Sequence, residues 1–278
     1  MKKPPKGLRH TWGVPANEDL QAAHRNHREF WCHLARVTDG AVVEVPGGLI
    51  VDTGIRAAGF NQLQCGAGGT QDTAAVAAVA AHFQERDLMW RVVSERPSAA
   101  VQELATLRGI EREPLYPIMT MAVGNAAQPR ETPLEQSTAA DLADLRAFVD
   151  CAAAGYRMDS ALLKPIVHKR ALSDDDFWFC LGRLDGRCVA VSIGVRSGDT
   201  VGVYFVAVRR GFRHRGFGAA IAQQAIQAGF AAGARLAVLQ ATSSGYPLYV
   251  DMGFTHVADY YMWDFPIYPR KPSAVNFE

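Results

Sequence analysis

One junction constrains this chain more than any other feature. Tyr204 to Val208 is an apolar, strand-like run. It is followed by Arg209-Arg210-Gly211-Phe212-Arg213-His214-Arg215-Gly216, and then by a stretch from Gly218 to Ala232 with helical periodicity that stops at Gly233. A strand that enters a glycine-rich turn and leaves it as a helix makes an anion site. The first turn of a helix leaves backbone N–H groups unpaired, the helix dipole adds partial positive charge there, and glycine lets a diphosphate approach the backbone. Within Arg209–Arg215 every residue except Gly211 and Phe212 is basic, so side chains can neutralise further phosphate charge. Two other phosphate-binding signatures fail on their residues. G-x-G-x-x-G would need glycine at 221, which is Ile221, and no Gly-Lys-Ser/Thr is present for a P-loop. The basic run alone would also suit a solvated loop or a nucleic-acid patch, but a formal net charge of +1 supplies no global field for a polyanion.

The residues around this junction predict a meander and then a mixed sheet. Phe177–Leu184 and Arg187–Arg196 are strand-like, with Asp185-Gly186 as a tight hairpin turn, and Ser197-Gly198-Asp199 turns the chain into a third strand at Thr200–Val208. After the Gly218–Ala232 helix come a strand at Arg235–Ala241, a short helix at Pro247–Met252 and a final strand at Thr255–Phe265. Ahead of the meander, helices are expected at Ala139–Ala154, opened by Ser137-Thr138, and at Ser160–His168. The order implies an α/β (α+β) fold with a mixed, mostly antiparallel sheet flanked by helices.

The polar, proline-bearing stretch Gly124–Glu135 separates this half from an earlier one. There the residues predict a helix at Glu18–Phe30, a hairpin of Ala41–Val45 and Gly48–Asp52 about Pro46-Gly47, a helix at Thr73–Glu85, a strand at Leu88–Val93, a helix at Ala99–Leu107 and a strand at Tyr116–Val123. The expected division is 1–124, a linker at 125–133, and 134–278. The five cysteines, an odd number with no C-x-x-C pair, read as buried free thiols rather than disulfides or a zinc site. His24 and His27 are spaced i, i+3 with no third ligand in view, so no metal is expected and both are read as surface residues. The basic N-terminus lacks an apolar run behind it and no stretch reaches the ~18 residues of a spanning helix, which predicts a cytoplasmic chain with no membrane partner.

Arg213-x-x-Gly216-x-Gly218 resembles the acyl-CoA signature Q/R-x-x-G-x-G/A of the GCN5-related N-acetyltransferase (GNAT) family. Leu248-Tyr249-x-x-x-Gly253-Phe254, after the next strand, resembles the family's L-Y-x-x-x-G-F segment. The resemblance covers roughly Pro133 to Phe265. It implies a GNAT fold with acetyl-CoA as acyl donor, in which Arg213, His214, Arg215, Gly216, Phe217, Gly218 and Ala219 hold the pyrophosphate. Val206, Ala207 and Val208 would offer backbone groups to the pantetheine, and Tyr249 would protonate the departing thiolate. Two positions depart from the pattern: Thr242 stands where asparagine is common, its hydroxyl still able to reach the pantetheine arm, and Arg210 where proline is common.

The reaction so implied is aminolysis of a thioester by a primary amine of a small molecule or peptide, such as an antibiotic, attacking directly in a ternary complex, without nucleic acid or membrane. The alternative is a non-catalytic acyl-CoA-binding sensor or interaction module on the same scaffold. Thr200–Val208 contains no carboxylate to act as base. Tyr204, holding a water, is the candidate there, with Asp199, Asp264 and His168 as other candidates. The order of elements in residues 1–124, and the segment from Val51 to Asn61, resemble the degenerate first half of two-domain bacterial family members, in which that half has lost CoA binding and shapes the acceptor pocket. Trp12, Phe30, Trp31, Phe60 and Trp90 could line a pocket, although such residues are more often core.

Overall fold

The computed structural model describes residues 17–65, 71–125 and 131–267. The first half begins with α1 (Asn17–Val37) and a meander of β1 (Ala41–Val45), β2 (Gly48–Asp52) and β3 (Gln62–Cys65). It continues with α2 (Gln71–Arg86), β4 (Trp90–Ser94), α3 (Ala99–Leu107) and β5 (Tyr116–Ala122). An edge strand β6 (Glu135–Thr138) leads to α4 (Leu142–Tyr156) and α5 (Ser160–Leu163). The second half then repeats the first half's order: β7 (Phe177–Leu184), β8 (Arg187–Ser197), β9 (Thr200–Val208), α6 (Phe217–Ala231), β10 (Leu236–Gln240), α7 (Tyr246–Asp251) and β11 (Thr255–Phe265).

In both halves a three-strand antiparallel meander is followed by a helix and a strand parallel to the meander's last member: β4 beside β3, and β10 beside β9. The closing strands are exchanged. β5 pairs antiparallel with β10 and with β11, and β11 pairs antiparallel with β4. One eleven-stranded sheet therefore runs in the order β1-β2-β3-β4-β11-β5-β10-β9-β8-β7-β6. The chain positions 124 and 134 do not coincide with a break in that sheet, because the last strand of each half completes the sheet of the other. Of the expected linker, residues 126–130 lie outside the described residues.

Helix α1 binds the halves further by lying across β8, β9 and β10. Its approach is so close that a Cβ on Gly202 would sit 1.9 Å from Asn26 Oδ1. Asn26 is fully buried, and its amide nitrogen donates to the Val195 carbonyl (3.1 Å) and to Thr200 Oγ1 (2.9 Å). That satisfies a polar group that would otherwise cost stability in the core.

Several boundaries differ from expectation for local reasons. Helix α1 runs on to Val37. Helix α4 starts at Leu142, because Asp141 caps it by accepting from the N–H groups of Ala143 (2.8 Å) and Asp144 (2.9 Å); Ser137 and Thr138 belong to β6 instead. The helix expected over Ser160–His168 ends at Leu163, where Pro165 enters a 3-10 turn, proline lacking the N–H that an α-helix interior needs. All five cysteines are free and buried. His24 and His27 are not surface residues: His27 is buried under β9 and β11, and His24 Nδ1 lies 2.7 Å from the Tyr260 hydroxyl. Among the described residues no helix is long and apolar enough to cross a membrane.

Candidate active site

The parallel pair β9–β10 is joined over only three residue pairs, ending at Val238↔Gly202. Beyond Gly202, β9 runs six residues further while β10 turns to β5, so the strands part. A bulge widens the opening. Phe205 and Val206 together face the single residue Ser192 of β8, and Phe205 takes a left-handed φ of 52°. The cleft opens into a cavity of about 890 Å³.

The loop after β9 closes one end of this cavity. His214 (φ 61°) and Gly216 (φ 78°) both take left-handed backbone, which folds the loop back so that α6 points its N-terminus at the opening. Gly216 is the N-cap and has no side chain to occupy the first-turn N–H groups. A Cβ at Gly218 would make an ordinary contact with Leu248 at 3.4 Å, so the first turn of α6 is bordered by α7 without being crowded by it. Unpaired N–H groups, the helix dipole and space for close approach are what a pyrophosphate requires, so these residues fit an acyl-CoA donor.

The structure gathers the sequence-predicted residues Tyr204, Val206, Ala207, Val208, Arg213, His214, Gly216, Phe217, Gly218, Ala219, Thr242 and Tyr249 on this one cavity. Arg215 is not with them; its guanidinium lies over the Phe212 ring, 5.5 Å from the centroid. The Arg213 guanidinium is already committed, donating to the carbonyls of Val208 (3.2 Å) and Gly155 (2.6 Å). It ties the loop to the end of α4, and backbone N–H groups are left to meet an anion. The Val206 carbonyl accepts from the Tyr156 hydroxyl at 3.2 Å. The Thr242 hydroxyl accepts from the Gly245 N–H (3.2 Å) and contacts Ser244 Oγ, fastening the turn into α7.

Tyr249 stands on α7 with its ring edge-to-face on Phe254. Burial, and secondarily the neighbouring Tyr116, push its hydroxyl above the usual phenol range, so it stays protonated at neutral pH. Tyr204 is held differently. Its hydroxyl donates to Asn26 Oδ1 at 2.8 Å and its ring stacks on Phe30 with centroids 3.9 Å apart. Burial raises its pKa well above the ordinary value, which makes it no base. The other candidate bases are elsewhere. Asp199 pairs with Arg235, His168 caps a 3-10 turn by accepting from the Arg170 N–H, and Asp264 grips Arg91. Among the described residues, no Asp or Glu lines the cavity.

The opposite wall comes from the first half: His27, Phe30 and Trp31 on α1, Phe60 and Gln62 around β3, and Arg91 on β4, with Tyr116 at the start of β5. Of the aromatic residues noted in the sequence, Phe30, Trp31 and Phe60 face this space, Trp90 stacks on Phe265 in the core, and Trp12 lies outside the described residues. His27 Nε2 accepts from Trp31 Nε1 at 3.0 Å, and burial, then His24 and Arg28, lower its pKa to about 3, so the imidazole is neutral. Sequence reasoning missed His27, Arg91 and Tyr116. The one visible signal was the polar–aromatic stripe Asn26, His27, Phe30 and Trp31 on a single helix face.

Residues 146–254 match the family model described as "Acetyltransferase (GNAT) family". A GCN5-related N-acetyltransferase from Kribbella flavida is similar in fold, with a TM-score of 0.66, 18% identity, and coverage of 88% of this chain and 95% of that one. A conserved protein of unknown function from Staphylococcus epidermidis gives a TM-score of 0.62 at 14% identity, covering 83% and 96%. A GCN5-related N-acetyltransferase from Sphaerobacter thermophilus gives 0.56 at 17%, covering 75% and 74%. No curated protein matches the chain. The strand-loop-helix junction of the cavity lies inside the matched span, so this segment of the chain matches the acetyltransferase (GNAT) family, and the chain as a whole shares the fold of GCN5-related N-acetyltransferases.

Proposed function

We propose that the protein transfers an acetyl group from acetyl-CoA to a primary amine of a small molecule or peptide, by direct attack within a ternary complex in the cavity described above. The observation that carries this reading is the parting of β9 from β10 beyond Gly202, which exposes backbone groups of β9 to the same space as the open first turn of α6. Acetyl-CoA supplies an activated acetyl thioester. N–H groups of residues 214–219 hold its pyrophosphate, and the segment Val206, Ala207 and Val208 borders the pantetheine, its cleft-side N–H groups offering donors while the Val206 and Val208 carbonyls already accept from Tyr156 and Arg213. Tyr249 donates a proton to the leaving sulfur, a role suited to a phenol kept protonated by burial.

Among the described residues the cavity lining offers no carboxylate, so the acceptor amine attacks as its free base. The surplus proton on its nitrogen passes through water to the Tyr249 phenolate left after sulfur is protonated, and Tyr204 with Asn26 shapes the floor on which the amine sits. Residues 1–124 supply the acceptor wall, and residues 134–278 the donor site. Calorimetric titration with acetyl-CoA tests the donor site. Wild type binds in the micromolar range, and the Gly216→Asp/Gly218→Asp variant loses about 100-fold or more, because a carboxylate and a strained left-handed residue replace an open anion cradle. Absence of binding to wild type would remove the transferase reading and leave the junction as decoration on an inactive scaffold.

A further inference from the structure

The acceptor end of the cavity has a one-sided chemistry. Its charged side chain is Arg91, and no carboxylate among the described residues lines the space to receive an ammonium group. Arg91 is held by one edge only. Asp264 takes Nε at 2.5 Å and Nη2 at 2.7 Å, fixing the plane of the guanidinium. Nη1 is left with the thioether of Met262 at 3.7 Å, a weak acceptor, and it lies beside Gly59, itself a lining residue. Gln62, 2% exposed, is engaged with other partners. Its Nε2 donates to the Gly59 carbonyl (2.8 Å) and its Oε1 accepts from Gln64 (3.2 Å). Gln240 Nε2 adds another buried donor without a partner, approaching the Tyr204 hydroxyl without reaching hydrogen-bond geometry. Between this donor-rich end and the opening of the sheet stand aromatic faces. Phe60 meets Trp31 edge-on at 6.2 Å and Phe205 at 5.6 Å.

A polycationic acceptor would bury ammonium groups here with no carboxylate of the described lining to pair them, which is unfavourable. We infer that the acceptor is an amine that also carries a carboxylate on an apolar or aromatic body, an amino-acid-like molecule whose carboxylate meets the free Nη1 edge of Arg91. This rests on the transferase reading proposed above for the direction in which the amine points. Asp264 then acts as a positioning residue that presents the guanidinium edge to the cavity.

Product-type probes test the carboxylate subsite separately from the donor site. Three matched pairs share an acetamide and a body and differ only in the carboxylate: N-acetylphenylalanine with N-acetylphenethylamine, N-acetylleucine with N-acetylisopentylamine, and N-acetylglycine with N-methylacetamide. Calorimetry on the full-length protein should give at least one carboxylated member about tenfold tighter binding than its partner. The Arg91→Gln/Asp264→Asn variant, which removes both charges together and so leaves neither buried alone, should reduce that preference to within about twofold while acetyl-CoA affinity is unchanged. A thermal melt of the variant confirms that it folds; if it does not, Arg91→Lys, which keeps the charge and loses the fork, should retain less than half of the preference on a logarithmic scale. Equal affinities within every pair, tighter binding of the uncharged members or of spermidine, a preference that survives loss of the Arg91 fork, or no probe binding at 10-millimolar order would each overturn the inference. Loss of acetyl-CoA binding with the carboxylate preference intact would instead strike the donor reading alone.

Discussion

The two parallel-strand junctions of this molecule share an order of elements and differ in how far their strands pair. Between β3 and β4 all four residues of β3 pair, from Gln62↔Arg91 to Cys65↔Ser94, so that sheet is closed along its whole length. Between β9 and β10 three pairs form and β9 then continues alone, bulged at Phe205. Strand length accounts for the difference: β3 has four residues and β9 has nine. A strand longer than its partner must leave backbone groups free, and those groups are a binding surface where a cavity meets them. The helices carry the same contrast. α7 holds Tyr249, whereas its counterpart α3 (AAVQELATL) has no tyrosine and packs Val101 and Ala105 into the core. One junction leaves an open cleft that suits the proposed donor site, and the other is a closed wall.

The most severe test of this comparison is to separate the halves. A chain beginning at residue 131 would lose α1 and β5, uncovering β8 and β9 and both neighbours of β5. It should show no cooperative melting transition by calorimetry; a sharp transition would mean that the shared sheet is dispensable. A smaller effect is expected from removing the feature that the second junction has and the first lacks. Tyr249→Phe should lower kcat about 100-fold with little change in acetyl-CoA affinity, the usual size for loss of a positioned acid. A turnover unchanged within twofold would take the acid role from Tyr249.

The contact between the halves can be strained without cutting it. Gly202→Ala places a Cβ where Asn26 Oδ1 now lies, and should cost about 3 kcal/mol in chemical unfolding by lifting α1 from β9. If stability is unchanged, α1 is not clamped to the second half. The smallest effect concerns His27. Its folded pKa of about 3 lies below the ordinary histidine value, so the unfolded chain binds the extra proton between these limits. Stability is therefore complete above about pH 6.5 and declines as pH falls through that window toward 3. At pH 5 the loss is roughly 2 kcal/mol from this residue, and a melt of His27→Gln should flatten the slope between pH 7 and 5. An identical slope in the variant would place the acid sensitivity elsewhere.

Much of the second half was legible because its information is local. Asp185-Gly186 and Ser197-Gly198-Asp199 fix the meander by turn chemistry, and Arg213-x-x-Gly216-x-Gly218 fixes the loop by the backbone that glycine permits. The elements that escaped have no local signature. β3 reads QLQC, yet all four residues are buried, because Gln62 and Gln64 satisfy each other and the Gly59 carbonyl on the cavity side. β6 (EQST) is an exposed edge strand with no apolar alternation to announce it. The first-half wall of the cavity was hidden for a stronger reason. Arg91, Tyr116 and His27 reach the cavity through strand exchange and a helix crossing, contacts between residues more than a hundred positions apart. Periodicity reports which face of an element is apolar, and says nothing of which distant element will cover it.

The exchange of closing strands also sets an order of events during synthesis. β5 leaves the ribosome with neither of its final neighbours made: β10 begins about 115 residues after its end and β11 about 135 residues after it. At roughly 5–20 residues per second, the buried strand Ile118–Met121 waits about 6–23 s with both edges open. During that interval the nascent first half is a template for any passing strand, and its protection falls to chaperones rather than to its own sheet.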